Sequence, residues 1–179
     1  MLFRSKNDLI DLLIREWKEE RPDLDTYAME VVGRILKLSK ILEKRASKSL
    51  SIYHIHYTDL DVLATIRRSG KPYELTPSQL MKSVLITSGA MTALLNRLTK
   101  LELIYRSPDP KDGRIKLAGL TPKGIELIDK SIETRFIEAS DSIKILNKNE
   151  NTALSILLKK LLKSLDLLFV SSGVSEKMV

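Results

Sequence analysis

The stretch from Leu75 to Thr121 constrains the fold more than any other: LTPSQLMKSVLITSGAMTALLNRLTKLELIYRSPDPKDGRIKLAGLT. It carries two helix starts, one break and one turn-rich hairpin in close succession. Thr76 is a cap residue, Pro77 suits the first helical position, and Gln79 completes a capping box. Leu80 and Val84 share the one face that so short a helix can bury. Ile86 to Gly89 interrupt the run. Thr87 or Ser88 caps the next helix, and Gly89 in its first turn leaves the backbone open to close approach. This second helix runs to about Leu101, with Met91, Leu94, Leu95, Leu98 and Leu101 forming a buried stripe.

The other side of that second helix is small and polar. Ser88, Thr92, Asn96 and Lys100 recur at steps of four, flanked by Ala93 and Arg97. Such a face suits a DNA major groove, where these side chains meet base edges and phosphates. A merely solvated face has the same pattern, so the helix alone does not decide. The hairpin does more. Leu103–Arg106 and Ile115–Ala118 are strand-like and enclose Ser107-Pro108-Asp109-Pro110-Lys111-Asp112-Gly113-Arg114. Arg106, Lys111, Arg114 and Lys116 make this tip basic. Arg114 follows the glycine, where a guanidinium could enter a narrow minor groove, and Asp112 is close enough to steady it.

These residues together resemble the MarR-type winged helix-turn-helix transcriptional regulators. The matching groups are Leu75-Thr76-Pro77-x-x-Leu80, Thr87-Ser88-Gly89-Ala90-Met91-Thr92, Leu98, Asp109-Pro110-x-Asp112-x-Arg114 and Leu120-Thr121-x-x-Gly124. Upstream, Trp17, Arg21-Pro22-Asp23-Leu24-Asp25, Met29 to Arg34 and Asp59 to Leu63 are similar to one branch of that family. The likeness spans about Trp17 to Asp129. Three departures stand out. Glu102 replaces a usual glycine, so a more helical corner is expected there; Asn96 replaces an acid; Gly113 replaces a second arginine. The resemblance implies a mainly α fold with a small β wing, in which N- and C-terminal helices form a dimerisation domain. We divide the chain accordingly into residues 1–50 (dimerisation), 51–121 (winged helix-turn-helix) and 122–179 (dimerisation).

Composition fits this expectation. The 179 residues carry a net charge of +7, which favours an anionic partner. Lys82, Arg97, Lys100, Arg106, Lys111, Arg114 and Lys116 against Glu102, Asp109 and Asp112 place +4 of that excess between Leu75 and Leu120. There is no cysteine, so thiol chemistry and disulfides are excluded and a cytoplasmic location is expected. Lys6, Asp8 and Asp11 interrupt any secretion signal at the start. No apolar run is long enough to span a bilayer, so no membrane partner is expected.

The flanks read as helices. Asn7 to about Glu20 is amphipathic through Leu9, Leu13 and Trp17 and serves as a packing arm. Asp25 to about Ser49 has an inner side at Met29, Val32, Ile35, Leu36, Ser39 and Leu42, with a basic remainder read as solvated. Thr58-x-x-Asp61 reads as the capping box of a helix to Ser69. Thr121-Pro122 starts a long helix with a seam at Ile125, Ile128, Ile132, Phe136, Ala139, Ile143 and Leu146. Asn147-Lys148-Asn149 interrupts it. The final helix, about Asn151 to Phe169, is rich enough in leucine to imply burial against a second subunit, and Ser171 to Val179 reads as a loose tail.

Tyr53, His54, His56 and Tyr57 are candidates for a small-molecule pocket suited to an aromatic acid. A metal there would need Asp59 or Asp61 as well, and packing roles are favoured over a metal. No phosphate loop, nucleophile motif or metal cluster is present, so no enzyme and no cofactor is expected. The resulting expectation is a homodimeric regulator, a repressor, reading a pseudo-palindromic duplex. Thr92 and Asn96, with Ser88, Gly89 and Arg97, would face bases or phosphates; Thr76, Ser78, Gln79 and Lys82 would hold the backbone. Arg106 and Arg114, the latter steadied by Asp112, would act from the wing, and a phenolic ligand would relieve binding. The alternatives are a non-specific architectural binder and a protein-interaction module built on the leucine-rich C-terminus.

Overall fold

A computed structural model describes residues 7–84, 86–110 and 112–171, with side chains to residue 165. Lys111 of the wing tip and the tail from residue 172 lie outside the described residues, as do the side chains of Leu168 and Phe169. The elements in chain order are α1 (Leu9–Glu20), α2 (Tyr27–Leu50), a 3₁₀ turn (Ser51–Tyr53), α3 (Tyr57–Arg68) and β1 (Glu74–Leu75). They continue with α4 (Pro77–Met81), α5 (Ser88–Lys100), β2 (Ile104–Pro108), β3 (Lys116–Leu120), α6 (Pro122–Ile143) and α7 (Lys148–Ser171). The expected class, mainly α with a small β wing, is what the chain adopts.

The described residues up to Arg45 and those from Ala46 onward form two compact units. In the first, the Asp8 carboxylate caps α1 by accepting the N–H groups of Ile10 (2.8 Å) and Asp11 (3.0 Å). Arg34 of α2 binds back to Asp8 (2.8 Å) and Asp11 (2.5 Å). Ile10 packs over Gly33, where an added Cβ would crowd it at 3.2 Å. Ile10, Leu13, Ile14, Trp17 and Met29 line a cavity of about 290 Å³.

In the second unit α3, α4, α5, the sheet and the start of α6 enclose one core. Leu60, Leu63, Ile66, Leu80, Met91, Leu95, Leu98, Ile104 and Ile128 are all buried, each worth about 1.5–3 kcal/mol. Val62 joins them, although its position did not stand out in the pattern. The sheet is antiparallel with order β1-β3-β2. The short strand β1 was not legible in the sequence, because two residues show no alternation. Pro108 sits at the end of the edge strand β2, where a missing N–H does no harm.

Several boundaries move, each because a different side chain does the capping. The helix α3 starts at Tyr57, and Asp59 accepts the His56 N–H at 2.7 Å, so the expected Thr58–Asp61 box lies two residues late. Asn147 does not only interrupt: its Oδ1 accepts the N–H groups of Asn149 (2.9 Å) and Glu150 (3.0 Å) and starts α7 at once. Leu101 lies past the last turn of α5 and is exposed rather than part of the buried stripe. Met29, Val32, Leu36 and Leu42 are likewise exposed, so the expected inner side of α2 is not buried among the described residues.

The corner after α5 corrects another expectation. Glu102 does not extend the helix; it takes a left-handed φ of 60°. Its N–H donates to Thr99 O (2.9 Å) and that of Leu103 to Leu98 O (3.0 Å), the double closure that ends helices at glycine. The glycine-like geometry is kept because Leu103 and Ile104 must both turn into the core. Gly124 closes the same corner from the other side. A Cβ there would overlap the Leu103 carbonyl, so α6 can approach only without one.

Candidate nucleic-acid interface

The helix α4 is capped as expected. Thr76 Oγ1 accepts the Gln79 N–H (3.1 Å) and Gln79 Oε1 accepts the Thr76 N–H (2.8 Å). Ser78, Gln79 and Lys82 are exposed along it. The cap of α5 is Thr87, whose hydroxyl accepts the Ala90 N–H at 3.2 Å. Its buried side is Met91, Leu94, Leu95 and Leu98, and its open side is Ser88, Gly89, Thr92, Ala93, Asn96 and Lys100. A Cβ at Gly89 would meet nothing within 4 Å among the described residues, so no packing seen there demands the glycine. Thr92 bonds its own helix, donating to Ser88 O at 3.1 Å.

Arg97 stands apart from that open row. Its guanidinium is turned onto Asp59, forming an ion pair with a carboxylate that has no exposed surface. Asp59 thus ties the start of α3 to the middle of α5. Its Oδ1 has no hydrogen-bond partner among the described residues. The pattern of the sequence hides this pair, because acids are expected at any helix start.

The wing is braced at its tip. Arg114 donates from Nε and Nη2 to the two oxygens of Asp112, both at 3.0 Å, while its side chain stays 92% exposed. That guanidinium holds the Asp112 carboxyl below its ordinary range. Arg106 is less free: Nη2 donates to Lys116 O at 3.0 Å, Nε is buried with no hydrogen-bond partner among the described residues, and burial pulls its pKa down.

The aromatic candidates separate. Tyr53 donates to Lys130 O (3.2 Å) and shares a bond of 2.7 Å with Thr134 on α6. The ring of Tyr57 lies 5.8 Å from the Arg135 guanidinium. His54 and His56 are exposed, His54 with φ 54°. Neither the α1–α2 cavity nor the groove between α6 and α7 is lined by any of the four. No group of three or more His, Asp or Glu among the described residues is placed to hold a metal.

A short capped helix, a second helix with one polar face and a braced basic hairpin define a winged helix-turn-helix module. A sequence profile of the MarR family matches residues 55–115. The transcriptional regulator PecS of Dickeya dadantii is 32% identical over 153 residues, 86% of this chain and 92% of that protein. The multiple antibiotic resistance protein MarR of Salmonella typhimurium is 31% identical over 133 residues, 73% of this chain and 90% of that protein. A mutant of Escherichia coli MarR, solved with operator DNA, superposes with a TM-score of 0.67 at 26% identity, covering 87% of this chain and 99% of that one. The chain belongs to the MarR family of helix-turn-helix transcriptional regulators, and is a regulator rather than an enzyme. No helix among the described residues is long and apolar enough to cross a membrane.

Proposed function

We propose that the chain is a cytoplasmic homodimeric repressor that reads a pseudo-palindromic duplex. Residues 51–121 do the reading, and residues 1–50 and 122–179 pair the copies. The observation that carries the reading is the polar row Ser88, Thr92 and Asn96, open beside Gly89 on a helix whose other side is locked into the core. Two such helices would enter successive major grooves about 34 Å apart. Ser78, Gln79 and Lys82 hold the phosphate backbone. Arg114 enters the minor groove from the wing, aimed by Asp112, while Arg97 keeps α5 seated on α3.

Dimerisation is supported by apolar surface left open in one chain: Phe136 is 70% exposed, and Leu154, Leu157, Leu161 and Leu162 of α7 are open as well. The effector of this reading is a small aromatic acid near Tyr57 and Arg135, where a ring and a cation already stand together. It would act by favouring a spacing of the two α5 helices that no longer fits the grooves.

The test is a footprint on DNA flanking the chain's own coding sequence, with and without phenolic acids. A protected site at moderate salt is expected, and Arg114→Ala should weaken it by about tenfold while the dimer persists. Equal affinity for every duplex with a steep salt slope would point to an architectural binder instead. A main partner indifferent to Arg114→Ala would point to a protein-interaction module.

A further inference from the structure

A run of polar contacts links the long helix α6 to the outer strand of the wing. Arg67 of α3 grips Asp129 of α6 through two parallel bonds, Nε to Oδ1 at 2.8 Å and Nη2 to Oδ2 at 3.2 Å. Its remaining nitrogen, Nη1, donates to the Tyr73 hydroxyl at 2.9 Å, and the guanidinium carbon lies 4.8 Å from the centroid of the same ring. All three nitrogens of one guanidinium are therefore engaged, two on Asp129 of α6 and one on Tyr73 just before β1.

Tyr73 needs such a hold. It has a left-handed φ of 61°, a region that a bulky side chain enters only when its surroundings insist. Its carbonyl accepts the Leu120 N–H of β3 at 3.1 Å. The next residue, Glu74, begins β1 and pairs with Gly119. The Glu74 side chain then reaches across β3: Oε1 accepts the Tyr105 hydroxyl at 2.9 Å and the Ser107 hydroxyl at 3.1 Å, both from β2. Gly119 makes the crossing possible, because a Cβ there would collide with the Tyr105 ring. Glu74 is thus a strap over the sheet, and Tyr73 is where the strap is anchored.

We propose that Arg67 is a positioning residue for the wing. By holding Tyr73 against Asp129 it places β1, and through Glu74 it sets the angle at which the β2–β3 hairpin leaves the body. The affinity contributed by Arg114 at the tip is therefore set from α6. This rests on the proposed DNA-reading function. A plain structural brace would instead stabilise the whole unit evenly. A direct phosphate contact by Arg67 would not depend on the Tyr73 hydroxyl at all.

Two full-chain variants separate these cases without touching Arg67: Asp129→Asn removes the carboxylate charge that Arg67 grips, and Tyr73→Phe removes the hydroxyl but keeps the ring. Without DNA, amide exchange in residues 104–120 should rise about tenfold in each, while exchange in α5 stays within about twofold of native. With a bound duplex, Arg114→Ala should cost about tenfold in the native chain but no more than about threefold in the Asp129→Asn background, whereas Asn96→Ala costs the same in both. An unchanged wing, or a wing and α5 loosened alike, overturns the proposal. So does a loosened wing in which the cost of Arg114→Ala is unchanged. A loosened wing in a chain that binds no duplex would support the clamp and sink the DNA-reading function.

Discussion

The module from α3 to β3 and the terminal helices obey opposite economies of surface. The first closes on itself: Leu80, Met91, Leu95, Leu98 and Ile104 are buried within one chain, and even the deeply buried carboxylate of Asp59 has Arg97 for a partner. The helix α7 has no buried residue among its described side chains. Leu154, Leu158, Leu162 and Ile143 line an open groove of about 440 Å³, rimmed by Lys159 and Lys163. Exposed apolar stretches of this extent mark interaction surfaces. The contrast separates apolar surface that this chain buries by itself from apolar surface that it leaves open.

The largest expected effect falls where α6 joins the closed region. Gly124→Ala puts a methyl into the Leu103 carbonyl, where neither backbone can retreat without opening the corner. A loss of about 3 kcal/mol is expected in denaturant unfolding. A stability within about 0.5 kcal/mol of native would mean that the corner is not a rigid joint.

The next effect should fall only on the open region. Leu158→Glu places a charge in the α6–α7 groove. On the pairing of two copies proposed above, the dimer dissociation constant should rise about 100-fold, or ~2.7 kcal/mol, in sedimentation equilibrium, while the far-ultraviolet spectrum stays native. A dimer of native strength would show that the groove is not part of the contact. Loss of helix throughout would show that the two regions do not fold separately.

The smallest effect is a gain. Glu102→Gly relieves a side chain held at φ 60° and gives up an exposed contact with Lys123 at 3.3 Å, which is worth little. The net change should be about +1 kcal/mol, a rise in melting temperature of roughly 2–4 °C. A fall instead would assign the exposed ion pair a weight that such pairs seldom carry.

Much of the candidate site was legible in the order of residues alone. Thr76 with Gln79 and Thr121 with Gly124 cap as their spacing implies, and the outer row of α5 follows from the inner one by geometry. Asp112 lies two residues from Arg114, so their pairing is a local event as well. The residues that escaped notice are those whose partner is distant in the chain. Asp59 looks like any acid in a first helical turn until Arg97 is brought to it, and nothing near Arg67 announces Asp129. Glu102 misled in the other direction: standing where the family usually has glycine, it pointed to a more helical corner, but the burial of Leu103 and Ile104 outweighed that local preference.

Local chemistry in this chain determines where helices start, which stripe of each is apolar, and where a basic hairpin must turn, because those depend on neighbours within about four residues. The tertiary structure decided which apolar stripes this chain covers by itself, which charges are tied to one another across the fold, and that a two-residue strand closes the sheet. Burial and ion pairing are settled between residues far apart in sequence, and no periodicity records the distance between them.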